Sequence, residues 1–127
     1  MLAFDTQGSQ RRKKPRAADV DQRRQNARPF FCAACLTRVC DDGDIVAIGG
    51  ATRHRFTNPA GFTFEIGTFA RAPGCRADGE PTLEHTWFPE HAWSLANCAN
   101  CTTQLGWFFA GATSFFGLIW SRLIQGA

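Results

Sequence analysis

The run Ala92-Trp93-Ser94-Leu95-Ala96-Asn97-Cys98-Ala99-Asn100-Cys101-Thr102-Thr103-Gln104-Leu105-Gly106-Trp107-Phe108-Phe109-Ala110 sets a cysteine knuckle between two aromatic segments. Both segments, Ala92–Ala96 and Gln104–Ala110, have the composition of strands. Leu105, Trp107 and Phe109 share one face of the second, and Phe108 takes the other. A second knuckle, Cys32-Ala33-Ala34-Cys35, stands 62 residues upstream. Each places two sulfurs on a tight turn, and four thiolates complete a tetrahedral shell. Cys32, Cys35, Cys98 and Cys101 are the expected ligands of one zinc ion. Thiolate at all four positions leaves no place for water, so the ion is expected to be structural and not catalytic. Redox dithiols and disulfides are the competing reading. Cys40 and Cys75 fall outside the pattern and read as small, weakly polar residues.

Outward from the knuckles, the chain from Phe30 is densely punctuated by glycine and proline, and no long window has helical periodicity. Strands are expected at Asp44–Ile48, His54–Thr57, Phe62–Phe69, Ala92–Ala96, Gln104–Ala110 and Phe115–Trp120. Asn58-Pro59-Ala60-Gly61 reads as the turn of a hairpin. Phe62 and Phe64 alternate with Thr63 and Glu65, predicting one buried and one wet face. The fold class is all-β.

At 127 residues the chain holds one domain at most. Residues 1–28 carry eight basic and three acidic side chains, a formal +5 within a chain total of +3. The remainder is mildly acidic, so the basic character belongs to the leader. Residues 1–29 are expected to be a disordered basic tail and residues 30–127 the folded domain. A tail of this kind supports nucleic-acid binding only weakly. Leu2-Ala3-Phe4 runs into Asp5, which is no secretory signal, and Leu105–Trp120 is too short to cross a bilayer. No membrane partner is expected, and a reducing cytoplasmic setting favours metal over disulfide.

Trp87, Trp93 and Trp107 fall within 21 residues. Tryptophans commonly serve as core, but Trp87 and Trp93 flank a loop-like stretch, Phe88-Pro89-Glu90-His91-Ala92. Trp107 follows the second knuckle closely, so the metal would hold its strand rigidly near Trp93. Rigid aromatics are what a preformed pocket needs. Such a box takes either a quaternary ammonium, with Glu84 and Glu90 nearby, or a neutral flat ring. His85-Thr86-Trp87 offers a backbone edge for the ring.

Glu84-His85-Thr86-Trp87-Phe88-Pro89-Glu90-His91-Ala92-Trp93, both knuckles, Leu105-Gly106-Trp107-Phe108-Phe109, Phe115-Phe116-Gly117-Leu118 and Asn58-Pro59-Ala60-Gly61 together resemble the thalidomide-binding CULT domain family, including its stand-alone bacterial members. The resemblance covers about residues 30–124. It implies a β-tent, two antiparallel sheets pinned by one four-cysteine zinc. It also implies a non-catalytic pocket walled by Trp87, Trp93, Trp107 and Phe109. The implied ligands are glutarimides such as thalidomide, succinimides, hydantoins, uracil-like rings and peptides ending in a cyclised Asn or Gln imide. Backbone at His85 and Trp87 would bond the imide, with the His85 side chain as a further partner and Asn58 and Pro59 on the loop above it. These residues carry no helical or Lon-like region of the kind through which the family's larger eukaryotic members join a ubiquitin ligase, so no ubiquitin-ligase partner is expected from the resemblance. Phe109 stands where some relatives have Tyr.

Two other classes compete. A zinc-bearing methionine sulfoxide reductase would need a nucleophilic cysteine on a late strand, and none follows Cys101. A zinc-ribbon nucleic-acid binder would use the basic tail, against the acidity of the folded part.

Overall fold

The computed structural model describes residues 27–126. The expected basic tail, residues 1–29, lies almost wholly outside them. Nine strands and two short 3-10 turns make up the described part. In chain order the strands are β1 (Pro29–Cys32), β2 (Arg38–Asp41), β3 (Arg53–Thr57), β4 (Thr63–Phe69), β5 (Cys75–Thr82), β6 (Ala92–Cys98), β7 (Gln104–Ala110), β8 (Phe115–Ile119) and β9 (Leu123–Gln125). They form two antiparallel sheets. The small one has the order β9-β1-β2, the large one β3-β4-β8-β7-β6-β5. Among the described residues no helix is long and apolar enough to cross a membrane.

The period-2 alternation of the central strands gives the large sheet two apolar faces. Leu118 and Ile119 are neighbours in β8, yet they belong to different clusters. Leu118 packs with Phe30, Val39, Cys40, Phe69, Ala96 and Leu105, which joins the two sheets. Ile119 packs with Ile66, Phe88, Phe109 and Phe115, bordered by Trp87, Trp93 and Trp107. The tryptophan group therefore occupies the face turned away from the small sheet. Gly106 permits the close approach of β7 and β8, since a Cβ there would fall 2.0 Å from the Gly117 carbonyl oxygen.

Several local expectations need correction. Leu105 does not share a face with Trp107 and Phe109: a register shift opposite it, between Ala96 and Asn97, turns Leu105 into the core between the sheets while Trp107 and Phe109 join the other cluster. Asp44–Ile48 is not a strand. The Asp41 carboxylate accepts from the Gly43 N–H, and Asp44 accepts from the Asp41 N–H, which winds Asp42–Asp44 into a 3-10 turn. Ile45 and Ile48 keep single β-bridges, to Phe69 and Ala51. Phe62 precedes β4 and is 65% exposed, because its N–H is taken by the Asn58 side chain at 2.9 Å. The Asn58–Gly61 turn itself joins β3 to β4, with Gly61 at φ 94°. Trp120 leaves β8 and packs between Phe30 and Phe69, with the Arg53 guanidinium 4.4 Å above its ring.

Candidate functional site

The two knuckles have the same internal wiring. Cys32 N–H donates to Thr37 O and Leu36 N–H to Cys32 O; Cys98 N–H donates to Thr103 O and Thr102 N–H to Cys98 O. Leu36 and Thr102, each following its second cysteine, both take positive φ, 64° and 67°. The sequence spacing Cys-x-x-Cys-x-Thr thus builds one turn twice, at the β1–β2 and β6–β7 connections. All six cysteines are free thiols, and the Sγ atoms of Cys32, Cys35, Cys98 and Cys101 lie within 4.8 Å of one another. Cys32 and Cys101 sulfurs are 3.7 Å apart, Cys35 and Cys98 sulfurs 3.6 Å. A tetrahedral ion with metal–sulfur bonds of about 2.3 Å requires edges of about 3.8 Å. The four sulfurs fit such an ion.

The thiolate form is prepared unevenly. The Thr37 hydroxyl, 3.1 Å from Cys35 Sγ, is the main reason that thiol's pKa falls to about 5. Thr103 does the same for Cys101 from 3.2 Å, drawing its pKa down. Burial pushes Cys32 up to about 11. Cys40 and Cys75 stand outside the quartet. Burial raises both thiols, Cys75 to about 12, which leaves them protonated and unreactive.

The second site is a cavity of ≈ 270 Å³ lined by Asn58, Pro59, His85, Trp87, Trp93, Trp107 and Phe109. β6 and β7 position two of its walls. Trp93 pairs with Phe109 and Leu95 with Trp107, so both tryptophans emerge on the same face of the hairpin that the Cys98–Cys101 knuckle closes. Phe109, 2% exposed, forms the floor. Trp87 comes from the β5–β6 loop and meets Trp107 edge-on, centroids 4.7 Å apart. Behind this pair, Phe56 stacks on Trp87 at 4.9 Å and Phe64 abuts Trp107 at 5.2 Å. Phe56 and Phe64 are cross-strand partners on the β3–β4 hairpin, so the same hairpin that supports the cage brings Asn58 and Pro59 to its mouth.

Seven of the eight ring-pocket residues named from sequence line this one cavity. Thr86 does not. Its hydroxyl is spent inside the loop, donating to His91 O at 2.7 Å and Phe88 O at 3.2 Å. Trp93 Nε1–H is also committed, to Glu84 O at 2.8 Å. Neither Glu84 nor Glu90 lines the cavity. From sequence, Phe56 is not singled out, and Phe64 reads only as part of the buried face of its strand, not as support for the cage. Their signal was the His54–Thr57 and Phe62–Phe69 alternation, which places them on one face without showing what that face meets.

No family model matches the chain. Curated proteins named cereblon do. Identity is 33% over 75 residues to the Danio rerio protein and 35% over 75 residues to the Gallus gallus protein, in each case 54% of this chain and 17% of the relative. Against the Drosophila erecta protein it is 29% over 103 residues, 74% of this chain and 18% of the relative. The chain thus spans about a sixth of the length of the curated relatives it matches. Homology to cereblon, the two antiparallel sheets and the clustered cysteines are together consistent with a cereblon-like (CULT) domain.

Proposed function

We propose that this domain is a non-catalytic receptor for small neutral cyclic imides and related rings, held in the tryptophan cage and supported by one structural zinc. The candidate rings are glutarimide, succinimide, hydantoin and uracil-like compounds, alone or as the cyclised C-terminus of a damaged peptide. The observation that carries the reading is the lining of the ≈ 270 Å³ cavity: four aromatic walls, an amide, a proline and one histidine, with no carboxylate. Flat rings gain from aromatic faces and from water expelled off them. The absent carboxylate weighs against the quaternary-ammonium cage, whose cation would want a counter-charge.

Each residue has a defined part. Trp87, Trp93 and Trp107 supply ring faces, and Phe109 the floor. Because Trp93 Nε1–H is already bonded to Glu84 O, Trp93 contributes surface and not a donor. Backbone at His85 and Trp87 serves the imide edge. Asn58 and Pro59 close the mouth. Zinc, held by Cys32, Cys35, Cys98 and Cys101, would supply no chemistry. It ties the β6–β7 turn to the β1–β2 turn, about five residues, or roughly 17 Å of strand, from Trp93.

Titrating the zinc-loaded chain with glutarimide while reading tryptophan emission tests the proposal. A saturable change is expected. No change up to millimolar glutarimide, succinimide and uracil would remove the ring-pocket reading.

A further inference from the structure

The β5–β6 loop carries His85 and Trp87 but has no regular structure, and His85 and Glu90 sit at positive φ, 58° and 67°. Two backbone turn bonds, Thr86 N–H to Leu83 O and His91 N–H to Phe88 O, shape it locally, and side-chain bonds fix the rest. The Thr86 hydroxyl bonds within the loop, Trp93 Nε1–H ties Glu84 O to β6, and His91 supplies the bond that reaches the β7–β8 turn. Nδ1 of His91 lies 2.9 Å from Pro89 O, and Nε2 lies 3.1 Å from Thr113 O in the β7–β8 turn. The ring rests on Phe115, centroids 5.3 Å apart, and against Gly111. A Cβ on Gly111 would fall 2.6 Å from His91 Cδ2, so the turn has space for this ring because residue 111 has no side chain.

Both ring nitrogens thus face carbonyl oxygens, which only accept. A neutral imidazole carries one N–H and can satisfy one of them; the imidazolium donates to both. We infer that His91 is a proton-dependent positioning residue for the tryptophan cage: doubly protonated, it latches the loop bearing His85 and Trp87 to the β7–β8 turn, and neutral, it gives up one of the two bonds. The inference rests on the ring-pocket reading for its effect on ligand affinity, not for the latch itself. Giving up either bond, the one that orients the ring in its loop or the one that reaches the turn, loosens the loop without unseating it, because Phe88 stays buried against Phe109 and Phe115. Other titratable groups on the loop are Glu84, His85 and Glu90. His54 packs on Phe88 at 5.2 Å. The 111–114 turn and Phe115 carry none.

Histidine is the side chain that changes charge between about pH 5 and 8. Glutarimide affinity of the zinc-loaded chain is therefore measured across that window, beside His91→Phe, which keeps a ring on Phe115 but has no donor. One charge-assisted bond at a half-exposed site should strengthen wild-type affinity about three- to tenfold on acidification. The variant should lack that component, leaving only what His85 contributes. In ligand-free protein, amide exchange in residues 84–91, corrected for intrinsic rate, should slow on acidification for wild type alone. Imidazole nitrogen–proton correlations should show two N–H groups on His91 at the acid end, a reading that needs no variant. Identical pH profiles and identical loop exchange in both proteins, or a single N–H on His91 throughout, would overturn the latch. Absence of glutarimide binding at every pH with the exchange difference intact would instead strike the ring-pocket reading and leave the latch standing.

Discussion

Replacing Trp107 by Ala should weaken ring binding severely while leaving the metal in place. Trp107 is a half-buried wall whose ring meets Trp87 at 4.7 Å and Phe64 at 5.2 Å. Stacking of a planar ring on one aromatic side chain is worth about 1–3 kcal/mol by alanine substitution. Affinity for glutarimide should therefore fall about 10- to 100-fold. Folding stability should suffer less than the 3–5 kcal/mol of a fully buried aromatic truncation, because the space opens into an existing cavity, and about 1–2 kcal/mol is expected. Trp120→Phe supplies the matched control. Its ring packs on the opposite face of the large sheet, against Phe30 and Phe69, and its buried Nε1–H has no partner. Removing that unsatisfied donor offsets the lost contact area, so stability should change by less than about 1 kcal/mol, and affinity not at all. Calorimetric titration, thermal melting and zinc assay on the three proteins decide the matter. The reasoning is refuted if Trp107→Ala binds glutarimide as wild type does, or if Trp120→Phe loses binding with its fold intact.

Glu90→Gly should raise the melting temperature, since Glu90 is exposed and held at φ 67°, where a side chain costs about 1–2 kcal/mol; a lower melting temperature would count against strain there. Thr37→Val with Thr103→Val should move acid release of zinc to higher pH, followed by a colorimetric chelator. The sign follows from the thiol pKa. Cys35, depressed from 9.0 to about 5, favours the folded state above its ordinary pKa and loses that contribution as pH falls toward 5. Without the hydroxyl the pKa rises, and protons displace the metal earlier. Stripping the metal with a strong chelator should lower the melting temperature and weaken glutarimide binding together. Unchanged melting in metal-free protein would contradict the structural-zinc proposal.

Much of this was legible because chemistry and spacing coincide at few residues. Cys-x-x-Cys-x-Thr occurs twice, and the structure builds the same turn at both, bringing together the four sulfurs that spacing had grouped. The cage tryptophans were legible through the resemblance and through the loop character of Phe88–His91. What spacing could not give is which face a strand presents to what. Arg38–Asp41 and Leu123–Gln125 are strands of four and three residues, too short to show alternation. Cys75–Thr82 was hidden behind Asp78-Gly79 and Pro81. It is an edge strand with a register irregularity between Asp78 and Thr82, where such residues are tolerated. Asp44–Ile48 misled for the opposite reason: a β-rich composition was overruled by two carboxylates bonding local amides. Thr86 was placed in the pocket by its neighbours, yet its hydroxyl serves the loop.

The indole N–H region of a nitrogen–proton correlation spectrum tests the central claim most directly, because the chain's four tryptophans report from two faces of one sheet. On addition of glutarimide to the zinc-loaded protein, the resonances of Trp87, Trp93 and Trp107 should shift together along one saturable curve while Trp120 stays fixed. Four unmoved indoles at saturating glutarimide, or a response confined to Trp120, would contradict it.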